Sequence, residues 1–281
     1  MARILSICNQ KGGTGKTTTS VNLAYAVSQK GRRVLLVDTD PQGNATSGVG
    51  VDKTTIQKSI YDVVLNKCSA QEVILPQVFP NLDILPCNIN LTGAEIELVG
   101  VLARETRLKK ALAAVSDQYD FIFIDSPPSL GLLTLNSLVA SEAVIVPIQC
   151  EFYALEGVSQ LLNTLNLVRD GLNPSLNIEG VLLTMADFRT NLTNEVIKEI
   201  KNYFKDKVFE TIIPRNVKLS ESPSFGKPIM LYDPASIGAK RYNEFADEFL
   251  GEKPNIHNRL KTNDLESDSA EKESENNPTA I

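Results

Sequence analysis

The chain has 281 residues, 42% of them hydrophobic, with 28 Lys and Arg against 34 Asp and Glu for a formal net charge of -6. That length suits one α/β domain with a tail, and the mild acidity excludes a generally basic nucleic-acid coat. No apolar leader follows the start and no uninterrupted run reaches the roughly 18 residues of a membrane helix, so a soluble, cytoplasmic protein is expected.

In chain order the first strand pattern is "RILSICN", followed by "NQKGGTGKTTTS" and a helical pattern over 17–30 that Gly31 caps. "RVLLVD" and "LDILPC" are the next strands, then a helical pattern over 91–115, then "FIFID", stopped by Pro127 and Pro128. The apolar stretch "LLTLNSLVASEAVIVPI" is broken by Asn136, Ser141 and Glu142, and its last part supplies the strand "AVIVPIQ". A helix over about 153–170 has Leu161, Leu162, Leu165 and Val168 at helical spacing. The strand "IEGVLLT" comes next, then a helix over 192–204 started by Thr193 or Asn191, the strand "VFETIIP" and a helix over 235–250. Continuous apolar strands alternating with helices predict an α/β fold, a doubly wound and mostly parallel sheet with helices on both faces. Ligands of such sheets bind at the carboxyl ends of the strands, where Asp38, Asp40, Asp125 and the first loop should converge. From residue 252 the composition turns to Glu, Asp, Ser, Asn and Lys, so 1–251 reads as one domain and 252–281 as an acidic, disordered tail.

Cys8, Cys68, Cys87 and Cys150 are scattered without a C-x-x-C pair and read as small buried thiols. The single histidine, His257, falls in the tail, so catalysis must rest on carboxylates, lysines, backbone donors and a metal held by oxygens.

The glycine-rich stretch carries that chemistry. Gly15, Lys16 and Thr17 satisfy the end of the phosphate-loop pattern G-x-x-x-x-G-K-[ST], although Gln10 stands at its first glycine. Gly12, Gly13, Thr14 and Gly15, between strand and helix, would offer successive backbone N–H groups to a phosphate, with Thr18 completing the first helical turn. Lys16 would neutralise the β and γ phosphates of ATP, and the Thr17 hydroxyl would complete a Mg²⁺ shell. Asp125, closing an apolar strand, can hold a Mg²⁺-bound water. Asp38 and Asp40 lie two residues apart at the end of "VLLVDTD". Either both face the nucleotide, with Asp38 near the metal, or the second has entered a turn. Asp40 is the better candidate for positioning the attacking water.

"KGGTGKTT" resembles the deviant Walker A motif of the ParA/Soj-type chromosome- and plasmid-partitioning ATPases, relatives of the MinD proteins. "LLVDTDPQGNAT", "YDFIFIDSPPSLGLLTLNSL", "PIQCEFYALEGVSQL", "ADFRTNL" and "IIPRNVKLSESPSFGKPI" resemble later blocks of that family in the same order. The resemblance spans roughly residues 1–250. It implies that Lys11 is a signature lysine reaching the phosphates of the partner subunit in an ATP-sandwich homodimer. It places Pro214 and Asn216 on the adenine side, with Met185 a weaker candidate, and Arg189 and Lys218 at DNA-contacting positions. The implied function is DNA segregation: the ATP dimer binds non-specific double-stranded DNA on the nucleoid, and a ParB-like centromere-binding partner stimulates slow hydrolysis and release. The chain starts at its first strand, so site-specific operator binding is not expected.

The alternative is a MinD-like positioning ATPase acting on a protein or membrane-associated cargo. The acidic, apolar-poor tail lacks the basic amphipathic helix that direct membrane binding would need. A metal-cluster carrier would need paired interface cysteines in other blocks. An ATP-dependent metabolic ligase would need a dedicated substrate pocket that these motifs do not show.

Overall fold

A computed structural model describes residues 1–151 and 154–252, the side chains of 154–157 excepted. His257 and the rest of the tail lie outside the described residues.

Eight strands form one sheet in the order β3-β4-β2-β5-β1-β6-β7-β8. They are β1 (Arg3–Ile7), β2 (Val34–Asp38), β3 (Leu75–Phe79), β4 (Leu82–Leu85), β5 (Phe121–Asp125), β6 (Ala143–Gln149), β7 (Asn177–Ala186) and β8 (Val208–Pro214). Every pairing is parallel except β3 with β4. The parallel strands are apolar on both sides because both faces are covered. On one face Leu36, Ile7 and Phe123 pack with Leu23, Tyr242 and Phe245 of α1 (Lys16–Gln29) and α12 (Ile237–Leu250). On the other, Leu35, Val37, Ile122 and Ile124 meet helices α3 (Ile60–Val64) to α7 (Leu132–Ala140). Beyond β6 that second layer continues with α8 (Ala154–Gly171) and α9 (Asn191–Phe204), closed over Val146, Ile148 and Leu183.

The remaining helices are short: α2 (Asn44–Gly48), α4 (Ala70–Val73), α5 (Leu91–Glu97), α6 (Arg107–Ala113), α10 (Val217–Glu221) and α11 (Ile229–Tyr232). The predicted helix over 91–115 is therefore divided. α5 and α6 are separated by Gly100 and a left-handed Ala103, φ 53°. The stretch with Asn136 and Ser141 is α7 running into β6. Asn136 is buried and satisfied: its amide donates to Arg104 O and Leu132 O, and its carbonyl accepts from Leu108 N, which ties α7 to α6. The ninth helix begins at Asn191, one of the two expected starts; Thr190 before it is the N-cap and accepts from Thr193 N. Gly31 follows α1 with φ 78°, as its position implies.

Candidate active site

Parallel register brings the carboxyl ends of β1, β2, β5, β6, β7 and β8 to one edge of the sheet. Ile7 pairs with Asp125, and Asp125 with Asp38, so the loop after β1 and both carboxylates share that edge.

The loop is held open by side chains that glycine counting does not reveal. Asn9 accepts from Lys11 N at 3.1 Å and donates to Pro147 O of β6 at 2.7 Å. Thr184 of β7 donates to Thr14 O at 2.9 Å. Gly13 and Gly15 take φ 76° and 86°, a region that L side chains enter at a cost, so these two positions need glycine. Gly12 lies between the Lys11 carbonyl and this turn.

Lys16 opens α1, is 7% exposed, and donates from Nζ to Lys11 O at 3.0 Å. Burial lowers its pKa, and the nearby Asp125 offsets part of that shift. Asp125 is fully buried; Oδ1 accepts from Ser20 Oγ at 2.8 Å, and the nearby Thr17 hydroxyl favours the charged carboxylate. Its Oδ2 is buried without a hydrogen-bond partner. Burial first, and the charge of Asp38 next, raise its pKa. A carboxylate oxygen left unpaired beside a threonine hydroxyl and a lysine fits a cation with bound water. Thr17 and Asp125 are the residues that would hold Mg²⁺.

The two carboxylates after β2 differ in state. Asp38 is fully buried; Oδ2 accepts from Thr46 N at 2.8 Å and Thr46 Oγ1 at 2.7 Å, and Oδ1 accepts from Asp40 N at 3.2 Å. Its pKa is raised, chiefly by burial. These bonds anchor α2 and the start of the Asp40 turn. Asp40 has entered a turn: Oδ1 accepts from Gln42 N at 2.9 Å, and Gly43 N donates to its carbonyl.

Lys11 behaves differently from Lys16. Its side chain is 37% exposed and points to Glu151, Nζ to Oε2 3.7 Å, while Arg215 meets the other oxygen of Glu151 at 3.5 Å. On the flank, Met185 holds φ 53°, a strained value for a non-glycine residue next to a binding edge. Pro214 pairs with Ala186, and Asn216 caps α10 by accepting from Lys218 N at 2.8 Å. Thr18 lines a cavity of about 460 Å³ with Thr17, Val21, Asn22, Lys53 and Lys227. Arg189 stands in the turn after β7, and Lys218 in the first turn of α10, which follows β8.

Sequence reading missed Asn9, Ser20, Thr46 and Glu151. Ser20 was available, four residues after Lys16 and so on the same helix face. Cys8, Cys87 and Cys150 are buried and Cys68 is half-buried; burial pushes the Cys8 and Cys150 thiols up to about 12.

A family model described as an AAA domain matches residues 2–178. The sporulation initiation inhibitor protein Soj of Bacillus subtilis is 58% identical over 248 residues, covering 88% of this chain and 98% of that protein. The chromosome partitioning protein ParA of Myxococcus xanthus is 53% identical over 250 residues, covering 89% and 88%. Among solved structures, a cobyrinic acid a,c-diamide synthase from Mycobacterium smegmatis with bound ATP analog and magnesium superposes with TM-score 0.77 at 39% identity, covering 88% of this chain and 93% of that one. With both sequence relatives aligned along nearly the whole described sheet, the chain belongs to the ParA/Soj family of chromosome-partitioning ATPases.

Proposed function

We propose that the protein is an ATP-hydrolysing DNA-segregation switch, in which ATP drives homodimerisation and the dimer binds non-specific duplex DNA on the nucleoid. The observation that carries this reading is the second lysine. Lys16 already serves the local loop, whereas Lys11 projects from the same loop, half-exposed, with only a carboxylate at 3.7 Å. A cation beside a phosphate cradle that does not enter its own cradle is placed for the phosphates of a second subunit, where it would offset the charge brought together.

Each residue then has a task. The backbone from Gly12 to Thr18 wraps the phosphates, and Lys16 neutralises the β and γ oxygens. Thr17 and Asp125 would hold Mg²⁺, which when bound would neutralise developing phosphate charge, and Asp38 fixes the Asp40 turn. Asp40, 8% exposed at the mouth of the site, orients a water for attack. Met185, Pro214 and Asn216 border the adenine side. Arg189 and Lys218 contact duplex phosphates, and a ParB-like partner accelerates an otherwise slow turnover and so returns the protein to the monomer.

The test is retention on a random-sequence duplex with ATP, ADP or no nucleotide across a salt series. Retention with ATP alone that falls steeply with salt supports the reading. Absence of retention under every nucleotide would turn the assignment toward a MinD-like positioning ATPase acting on a protein or membrane-associated cargo.

A further inference from the structure

Both cations assigned above to duplex phosphates are already paired with a carboxylate of their own segment, Arg189 in the turn after β7 and Lys218 within α10. Arg189 makes a two-pronged contact with Asp187, Nε to Oδ1 2.8 Å and Nη2 to Oδ2 2.6 Å, although the arginine side chain is 87% exposed. Lys218 Nζ lies 2.9 Å from Glu221 Oε2. The two loops share a surface, because Ala186 pairs with Pro214 and Arg215 N donates to Ala186 O at 3.0 Å.

Neither carboxylate is free to swing away. Asp187 is 25% exposed, and its Oδ1 also accepts from Arg189 N at 3.2 Å. Glu221 Oε2 also accepts from the Tyr232 hydroxyl at 2.8 Å. Hydrogen bonds from Arg189 hold the Asp187 carboxyl down to about 2, and Lys218 holds Glu221 below its usual range, so both stay charged near neutral pH. Exposed ion pairs of this kind contribute little to folding. Their consequence falls on any anion that approaches the cation.

We propose that Asp187 and Glu221 are affinity-setting residues of the duplex-binding surface, fixed negative charges that hold single-subunit binding too weak for retention and leave it to the paired surfaces of the dimer. This rests on the duplex-binding reading above. A phosphate bound by Arg189 or Lys218 remains a few ångströms from an anchored carboxylate, a repulsion that in water weakens binding about threefold per contact. Two such contacts in one subunit give about tenfold, and the four of a dimer about 100-fold.

The experiment compares wild type, D187N, E221Q and the double variant on a random-sequence duplex, with R189A and K218A beside them, in ATP and in ADP. Asn and Gln retain an acceptor oxygen for Arg189 N and the Tyr232 hydroxyl, which preserves both loops. Expected are about threefold tighter binding of the ADP-state subunit for each single variant and about tenfold for the double, with retention in ADP at low salt where wild type washes off. Unchanged or weaker binding of D187N and E221Q, with R189A and K218A losing retention, overturns the proposal and leaves the duplex reading standing. R189A and K218A binding like wild type, or no retention of wild type and double variant alike, would sink both.

Discussion

Asp125 is a fully buried carboxylate that the fold pairs through one oxygen. Its Oδ2 has no partner, and burial beside Asp38 raises the pKa of both groups. For an acid whose folded pKa lies above its unfolded value of about 4, the folded state holds the extra proton, so stability falls as pH rises from about 4 toward the folded pKa. Other carboxylates oppose this trend, Asp187 among them, so the comparison must be with a variant. Asp125→Asn removes the term: its midpoint should exceed wild type at about pH 8, by about 2 to 8 °C, and the gap should narrow at about pH 5.5. Thermal melts of both proteins without nucleotide check this, and a gap independent of pH would dismiss the ionisation argument. Lys16→Ala belongs to the same scale. It removes the buried cation of the cradle, and calorimetric titration should show ATP affinity falling by at least about 100-fold.

Between elements, two backbones come into close contact where the turn after α2 meets the turn before α11. Gly226 and Gly50 both hold positive φ, 61° and 86°, and a Cβ on Gly226 would lie 2.6 Å from Gly50 Cα. Gly226→Ala therefore has to move backbone, with a destabilisation of about 2 to 4 kcal/mol expected. Denaturant unfolding measures it; a loss under about 0.5 kcal/mol would show that the two turns part freely. This contact could not be read from "SPSFGKPI", because it depends on which distant turn lies opposite. What was legible followed local periodicity: seven strands and the helices starting at 16, 154, 191 and 237 sit within a few residues of expectation. β3 escaped because it is a mostly exposed antiparallel edge strand with Pro76 inside it and no apolar run. α7 escaped because its polar residues are buried along with its apolar ones, which blurs any helical spacing, and Asn136 bonds neighbouring backbone instead of solvent. That the glycine-rich loop, Asp125 and Asp40 meet at one edge of the sheet was legible because each stands at or just past the end of a strand that its apolar run marks. Their braces, Asn9, Thr46 and Thr184, belong to strands and helices that meet only after folding.

At the scale of the molecule, the edge bearing Lys11 also exposes apolar side chains. Ile89, after β4, is 65% exposed, and Leu130, in the loop after β5, is 48% exposed. A face with a phosphate cradle, a lysine pointing out of it and apolar residues beside it is suited to a second copy of itself. Two variants separate nucleotide binding from assembly. Lys11→Ala leaves Lys16, Thr17 and Asp125 in place, so ATP affinity should change less than about threefold while the dimer weakens by at least about tenfold, because the cross-subunit cation is lost. Asp40→Ala should do the reverse if Asp40 orients the water as proposed, keeping an ATP dimer that persists with little phosphate release while the phosphate contacts remain. Analytical ultracentrifugation with ATP, run beside phosphate-release kinetics, reads both. Normal dimerisation of the Lys11→Ala protein would remove the lysine from the interface and assign its contact with Glu151 to the fold of one subunit. Rapid release from the Asp40→Ala dimer would move water positioning to another group on the same edge. If both variants behave as expected, hydrolysis at Asp40 and assembly at Lys11 are separable steps of one cycle.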